Sequence, residues 1–338
     1  MSLSLLSSRS LRRVVPILLL PPKHSYSSFH SGQIPLLVPL RSSFRKSSRN
    51  MAGKMGLMPV VPTRLIYHED ETVREHESKI TNVSSFTDLP QEEQSLFKAG
   101  TDQTQVIEVG ATIFYVQGGG QPCDTGSMIL TKDGKEQKFN IEAVRYGAGG
   151  RVLHFGHYTS SDDAFAEGEN VTLRIDGERR DTNSRVHTAG HLVGLAVRNL
   201  ISNTPDLKDV TELKASHYPG ACFVDFKGLI SGDHKAAIES TANSFVTSNL
   251  PIKIDWYAPE ELGENGVITA EGMPIVSSGE SGKVRVVDIV GAGPGGSRGA
   301  YPCGGTHVPE TSKVGKVVVR NIKRQKGNSK VSYEVVDG

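Results

Sequence analysis

Two short stretches of this 338-residue chain carry side chains suited to holding a metal ion. They are His187-Thr-Ala-Gly-His191 and, far along the chain, Cys303-Gly-Gly-Thr-His307. On a helix, the first pair lies one turn apart and faces the same way. The second pair sits in a glycine-rich loop, where bare backbone can wrap closely around an ion. Three imidazoles and one thiolate form a donor set that suits tetrahedral zinc. The spacing therefore predicts one zinc per chain on His187, His191, Cys303 and His307, with Asp288, His217 and Asp225 as candidates for outer contacts to the ligands.

A second constellation is Gly118-Gly-Gly-Gln121, followed by Asp124. Three consecutive glycines present backbone N–H groups at a surface, and Gln121 adds an amide that a ligand could use. A tight turn without a ligand is the plainer reading. The stretch is not a nucleotide-phosphate loop, because no Gly-Lys-Ser/Thr follows, and Gly293-Pro-Gly-Gly296 fails in the same way. No Gly-x-Ser-x-Gly elbow is present, and Cys123 has no evident histidine partner. Near the end, Lys313, Lys316, Arg320, Lys323, Arg324, Lys326 and Lys330 line an expected hairpin turning at Gly327-Asn328. That strip reads either as a solvated edge or as phosphate contacts for RNA.

The elements that must position these groups change character near residue 179. From Leu65 to Ile175 the chain reads as short strands, among them Val106–Val109, Thr112–Val116, Arg151–Phe155 and Asn170–Ile175. Met128–Thr131 and Lys138–Val144 flank an Asp133-Gly134 hairpin signal. This pattern predicts a small β-barrel, with a short helix near Gln91–Lys98. Beyond Arg179, Val186, Ala189, Val193, Ala196 and Leu200 recur at helical spacing, with Asp181 and Thr182 as cap candidates. A second helix is expected over Asp233–Leu250, and strands over Cys222–Phe226, Ile252–Trp256, Val284–Ile289, Gly315–Ile322 and Lys330–Val336. Helices on an antiparallel sheet make the class α+β. The expected divisions are a leader over 1–62, a barrel over 63–178 and a zinc-binding domain over 179–338.

The first 68 residues contain no Asp or Glu, while ten of the chain's 38 Lys and Arg lie there among many serines. Such a leader reads as a transit peptide for mitochondrion or chloroplast, with a cytosolic form if translation starts at Met51 or Met55. Its apolar runs are too short to span a membrane. The remaining chain carries 28 basic groups against all 37 acids, a formal charge of −9. Bulk electrostatics then cannot hold it on nucleic acid, and any RNA contact must be local. Three cysteines, at 123, 222 and 303, make no disulfide framework.

From about Thr63 onward the chain resembles the alanyl-tRNA editing proteins of the AlaX type, which share the editing module of alanyl-tRNA synthetase. The resemblance rests on Phe114-Tyr115, Gly118-Gly-Gly-Gln121, Asp124, Gly126, Arg179-Arg180, Arg185, His187-Thr-Ala-Gly-His191, Cys303-Gly-Gly-Thr-His-Val308 and Val314-Gly-Lys-Val317. It implies a translation-factor-like barrel followed by the threonyl/alanyl synthetase second additional domain. It also implies a zinc-dependent aminoacyl-tRNA deacylase with mischarged tRNA(Ala) as partner, Ser-tRNA(Ala) or Gly-tRNA(Ala) foremost. Nothing resembling the amino-acid-activating core is visible, so action in trans is expected. Catalytic roles fall to Gln121, Gly120 and Thr306, and substrate or tRNA contacts to Gly118, Gly119, Ser216, Lys316, Arg320, Lys323 and Arg324. Gln121, Ser216 and Thr306 are the candidates to hydrogen-bond a seryl hydroxyl. The family's hydroxyl-selecting position finds no clear counterpart at Lys214-Ala-Ser-His217. A non-catalytic zinc-stabilised tRNA- or partner-binding module, and a deacylase for another mischarged tRNA, are the alternatives.

Overall fold

The computed structural model describes residues 61–269 and 282–337. The expected leader and its internal methionines lie outside these residues, apart from 61 and 62. The described residues belong to one compact unit, Leu57–Gly338. Their elements run β1 (Arg64–Leu65), β2 (Glu75–Ser85), α1 (Gln91–Gln94), β3 (Gln105–Val109), β4 (Ala111–Thr112), β5 (Gly126–Lys132), β6 (Lys135–Tyr146), β7 (Val152–Tyr158) and β8 (Asn170–Ile175). Then come α2 (Gly177–Asn203), β9 (Thr211–Ser216), β10 (Cys222–Lys227), α3 (Lys235–Thr247), β11 (Ile252–Tyr257), β12 (Val284–Ile289), β13 (Gly299–Pro302), β14 (Lys316–Gln325) and β15 (Asn328–Val336).

Six strands close into an antiparallel barrel in the order β2-β3-β7-β6-β5-β8. Alternation along each strand sends Ile107, Phe139, Phe155 and Leu173 inward, all fully buried. Phe97 caps this core with its ring 5.2 Å from Phe155. The β5–β6 turn is the expected one, Asp133 and Gly134 both at positive φ. The second layer is mixed. Helix α2 lays Val186, Ala189, Leu192, Val193 and Ala196 against one continuous core with residues of β10, β15 and α3. A four-stranded sheet, β14-β15-β10-β9, and a three-stranded one, β11-β12-β13, complete it. The α+β class holds.

Three local expectations need correction. Strand β4 stops at Thr112 instead of running to Val116. Side chains take the amides a ladder would use: Phe114 N donates to Thr112 Oγ1 at 3.1 Å and Tyr115 N to an Asp124 carboxylate oxygen at 2.7 Å. Helix α2 begins at Gly177, and its cap is Asp176, whose side chain accepts from Arg179 N at 3.0 Å. Asp181 and Thr182 lie inside it. The final hairpin turns at Lys326-Gly327, both at positive φ, one residue before the expected pair.

Barrel and second layer are joined by a buried ion pair. Asp124, from the loop after the glycines, meets Arg180 of α2, and neither side chain is exposed. The same guanidinium donates to Ile113 O at 2.6 Å and Glu71 O at 3.1 Å. Removing one partner leaves the other charge buried and unpaired, so Arg180→Leu should cost about 3–5 kcal/mol of stability. Urea unfolding of that variant should show a midpoint well below that of the parent chain.

Candidate metal centre

Helix α2 sets the first half of the site. Its apolar stripe is buried, which turns His187 and His191 toward the loop after β13, with rings 5.1 Å apart and only 9° from parallel. The second half, Cys303–His307, is an irregular loop whose polar backbone needs partners. Arg285 of β12 supplies them, donating to the carbonyls of Cys303 and Gly305 at 2.8 and 2.9 Å. Its other branch pairs with Glu71, and Glu71 accepts from His307 N at 2.6 Å. His68 adds a contact to Gly304 O at 3.2 Å. Gly305 must lack a side chain, since a Cβ there would overlap the His187 ring.

Together these constraints bring the donor atoms of His187, His191, Cys303 and His307 to within 4.8 Å of one another. Cys303 Sγ lies 3.4 Å from both His187 Nε2 and His307 Nε2. Tetrahedral zinc bonds of 2.0–2.3 Å require donors about 3.3–3.6 Å apart, so these distances fit. The opposite ring nitrogens are also placed for ligation. His187 Nδ1 donates to Gln121 Oε1 at 2.7 Å. Thr188 Oγ1 donates to Ser184 O at 2.8 Å, which leaves it to accept from His307 Nδ1 at 3.1 Å. In both rings Nε2 thereby keeps its lone pair for a metal. His191 Nε2 is buried without any hydrogen-bond partner, and a cation at this centre would satisfy it.

Burial is the main cause of every shift in basicity here. It brings His191 down to about 4, takes His187 and His307 well below the usual histidine range, and raises the Cys303 thiol to about 11. Neighbouring imidazoles and Arg285 push His187 and His307 further down. Neutral imidazoles are the form that binds a metal, whereas the thiol must lose its proton.

The residues expected at the reacting atoms lie at the ligands' outer edge. Gln121 is fully buried: its Oε1 also accepts from Thr306 N at 3.1 Å and its Nε2 donates to Thr306 Oγ1 at 2.9 Å. Thr306 Oγ1 also pairs with Ser184 Oγ at 2.8 Å. Both polar groups are thus engaged within the protein and hold His187 and the loop. Gly120, at φ 79°, passes so near β9 that a Cβ would sit 2.5 Å from Ala215 O, and its carbonyl accepts from His217 N at 2.8 Å. Tyr115 OH donates to Gly118 O at 2.9 Å, and Gly119 is exposed beside it. Gly120 therefore packs on the second layer as well as turning the chain.

Ser216 ends β9 half-buried, and its neighbour His217 stacks on His187 at 4.1 Å. Asp288 is instead bound by Arg298 at 2.7 Å, and Asp225 faces Lys330 at 3.8 Å, so neither supports a ligand. Lys316, Lys323 and Arg324 are exposed on the edge strand β14, while Arg320 pairs with Glu334 at 3.1 Å. Glu71 and Arg285, which clamp the metal loop, were not singled out from the sequence.

Comparison with known proteins points to the tRNA synthetases. A family model for class II (A) tRNA synthetases matches residues 41–179, and one for the threonyl and alanyl tRNA synthetase second additional domain matches residues 284–332. Cys303 and His307 fall inside the second match. An alanine–tRNA ligase of Lachnoclostridium phytofermentans is 31% identical over 239 residues, covering 71% of this chain and 24% of the relative. That of Methanosphaera stadtmanae is 29% identical over 275 residues, 76% of this chain and 27% of the relative. That of Pyrococcus furiosus is 28% identical over 281 residues, 80% and 26% respectively. The chain thus spans about a quarter of the length of the curated relatives it matches.

Two outcomes test the centre. Gln121→Leu frees the His187 tautomer and should weaken zinc binding by about 10–100-fold, read by competition with a chelating dye. Between pH 6 and 8 the Cys303 thiol is protonated without metal while the imidazoles are already neutral, so uptake releases one proton. Apparent zinc affinity should therefore rise about tenfold per pH unit, and calorimetry in buffers of different ionisation enthalpy should count that proton.

Proposed function

Because the chain is a relative of the alanyl-tRNA synthetases carrying their type of second additional domain, we propose that it hydrolyses mischarged tRNA(Ala). In this reading it is a zinc-dependent aminoacyl-tRNA deacylase of the AlaX type acting in trans, with Ser-tRNA(Ala) and Gly-tRNA(Ala) as substrates. The observation that carries it is the meeting of His187, His191, Cys303 and His307 around one point, braced by the glutamine of the glycine loop.

The need for such an activity follows from pocket physics. A site that admits alanine cannot strongly exclude glycine, and it rejects an added hydroxyl only modestly. A second site that cleaves the wrong ester restores fidelity. A bound zinc would supply Lewis acidity toward the ester carbonyl or toward a water. The chain's own residues fix where that happens. Gln121 holds the His187 ring, Thr188 holds His307, and Arg285 with Glu71 holds the loop that brings Cys303. Three of the ligand residues are buried and Cys303 is half-buried, so the proposed approach of water and substrate is past the cysteine loop. The exposed cations Lys316, Lys323 and Arg324 on β14, together with Arg320, are the proposed phosphate contacts on tRNA.

Purified, zinc-loaded protein should deacylate Ser-tRNA(Ala) and Gly-tRNA(Ala) and spare Ala-tRNA(Ala). Cys303→Ala should lose bound zinc and slow the reaction by about 10²-fold or more. Full activity in metal-free Cys303→Ala protein would overturn the mechanism. Tight tRNA binding with no turnover on any charged tRNA would leave a binding module instead.

A further inference from the structure

Strand β11 leaves the chain's one tryptophan, Trp256, partly exposed beside the metal loop. β11 is an edge of the three-stranded sheet, and Trp256 lies directly across from Arg285 of β12. Residues opposite one another in an antiparallel pair send their side chains to the same face. Arg285 uses that face to hold the carbonyls of Cys303 and Gly305, so the indole stands on the side of the sheet that carries the cysteine loop. The carbonyl between those two, Gly304 O, accepts from His68 Nε2 at 3.2 Å. The His68 ring in turn meets the Trp256 ring at 6.0 Å and 66°. Tyr67, only 1% exposed, backs that imidazole with its own ring 4.7 Å away.

This corner is joined to the metal centre and open to solvent. Trp256, His68 and Cys303 are each partly exposed, and Gly304 between the last two is exposed. A carbonyl only accepts, so His68 carries its proton on Nε2 and keeps a lone pair on Nδ1. No donor among the described residues takes that lone pair. A flat aromatic face with an acceptor at its edge suits an unpaired nucleic-acid base, which stacks on the ring and offers an exocyclic amino group. Position selects which base. The proposed reaction cleaves an ester on the terminal ribose of tRNA, so the base on that same ribose must lie beside the metal centre while the ester is within its reach. His68 holds the residue next to Cys303, and Trp256 stands against His68.

We propose that Trp256 stacks on the 3′-terminal adenine of tRNA, with His68 Nδ1 accepting from the amino group of that base. This deepens the deacylase reading and rests on it for the identity of the RNA. Trp256 is then a substrate-binding residue that sets how far the acceptor end enters the site. The buried Tyr67 behind His68, and the Arg285 clamp across from Trp256, keep the two rings at a fixed place relative to Cys303.

Because the chain has a single tryptophan, its intrinsic fluorescence reports on Trp256 alone. The test titrates the full, zinc-loaded chain with uncharged tRNA(Ala), with the same tRNA shortened by its 3′-terminal nucleotide, and with one ending in an abasic ribose. Intact tRNA should quench the emission, and the other two should bind with little quenching. In deacylation assays Trp256→Ala should raise KM about tenfold, far more than it lowers kcat, and Trp256→Phe should recover most of that loss. Both variants should keep their zinc. Equal quenching by all three tRNAs, or quenching by none, would overturn the inference even where a variant folds poorly, and would leave a deacylating parent chain as the deacylase proposed above. An unchanged KM in zinc-loaded Trp256→Ala would overturn it as well. Quenching that depends on the terminal base, in a protein that deacylates no charged tRNA, would sink the deacylase reading alone.

Discussion

One primary amide holds the two halves of the metal centre in register. Gln121 accepts from the His187 ring and from the Thr306 backbone through one oxygen, and donates to the Thr306 hydroxyl through its nitrogen. The helix histidines and the cysteine loop are far apart in sequence, so nothing local fixes their distance. A buried amide with fixed donor and acceptor directions does so, because any slip of the loop would leave a polar group unpaired at a cost of about 1–3 kcal/mol. The glycines before it serve the same end. Without a side chain at Gly120, the barrel loop can reach β9 closely enough to deliver Gln121 into the second layer.

The buried charges around the site follow a similar logic. Arg180 with Asp124, and Arg285 with Glu71, are pairs that also bind backbone carbonyls and amides. Burial pushes the Glu71 carboxyl up, and Arg285 counters only part of that rise. As stabilisers such pairs gain little over well-packed apolar residues. What they add is direction. A guanidinium binding the carbonyls of Cys303 and Gly305 imposes a loop shape that apolar packing could not.

The metal ligands were legible because each half is compact in sequence and each sits in a recognisable setting, a helix face or a glycine loop. The barrel hairpin at Asp133-Gly134 was legible for the same local reason. Strand β2 was not, since Glu75–Ser85 is mostly polar with only Ile80 and Val83 apolar, and carries no clean alternation. The clamp residues were hidden too. Glu71 acts 236 positions from His307, from an irregular segment before the barrel, and no periodicity or spacing marks it. Gln121 and Thr306 stood out by type and motif, but only coordinates show that their polar groups turn inward onto the ligands.

The His187 ring is held from three sides. Its Nε2 edge faces Cys303, its Nδ1 donates to Gln121, and its face stacks on His217 at 4.1 Å. A displaced Gln121 or His217 would therefore turn the imidazole that the thiol faces, so the barrel loop and the end of β9 set the geometry of the centre without supplying a ligand to it.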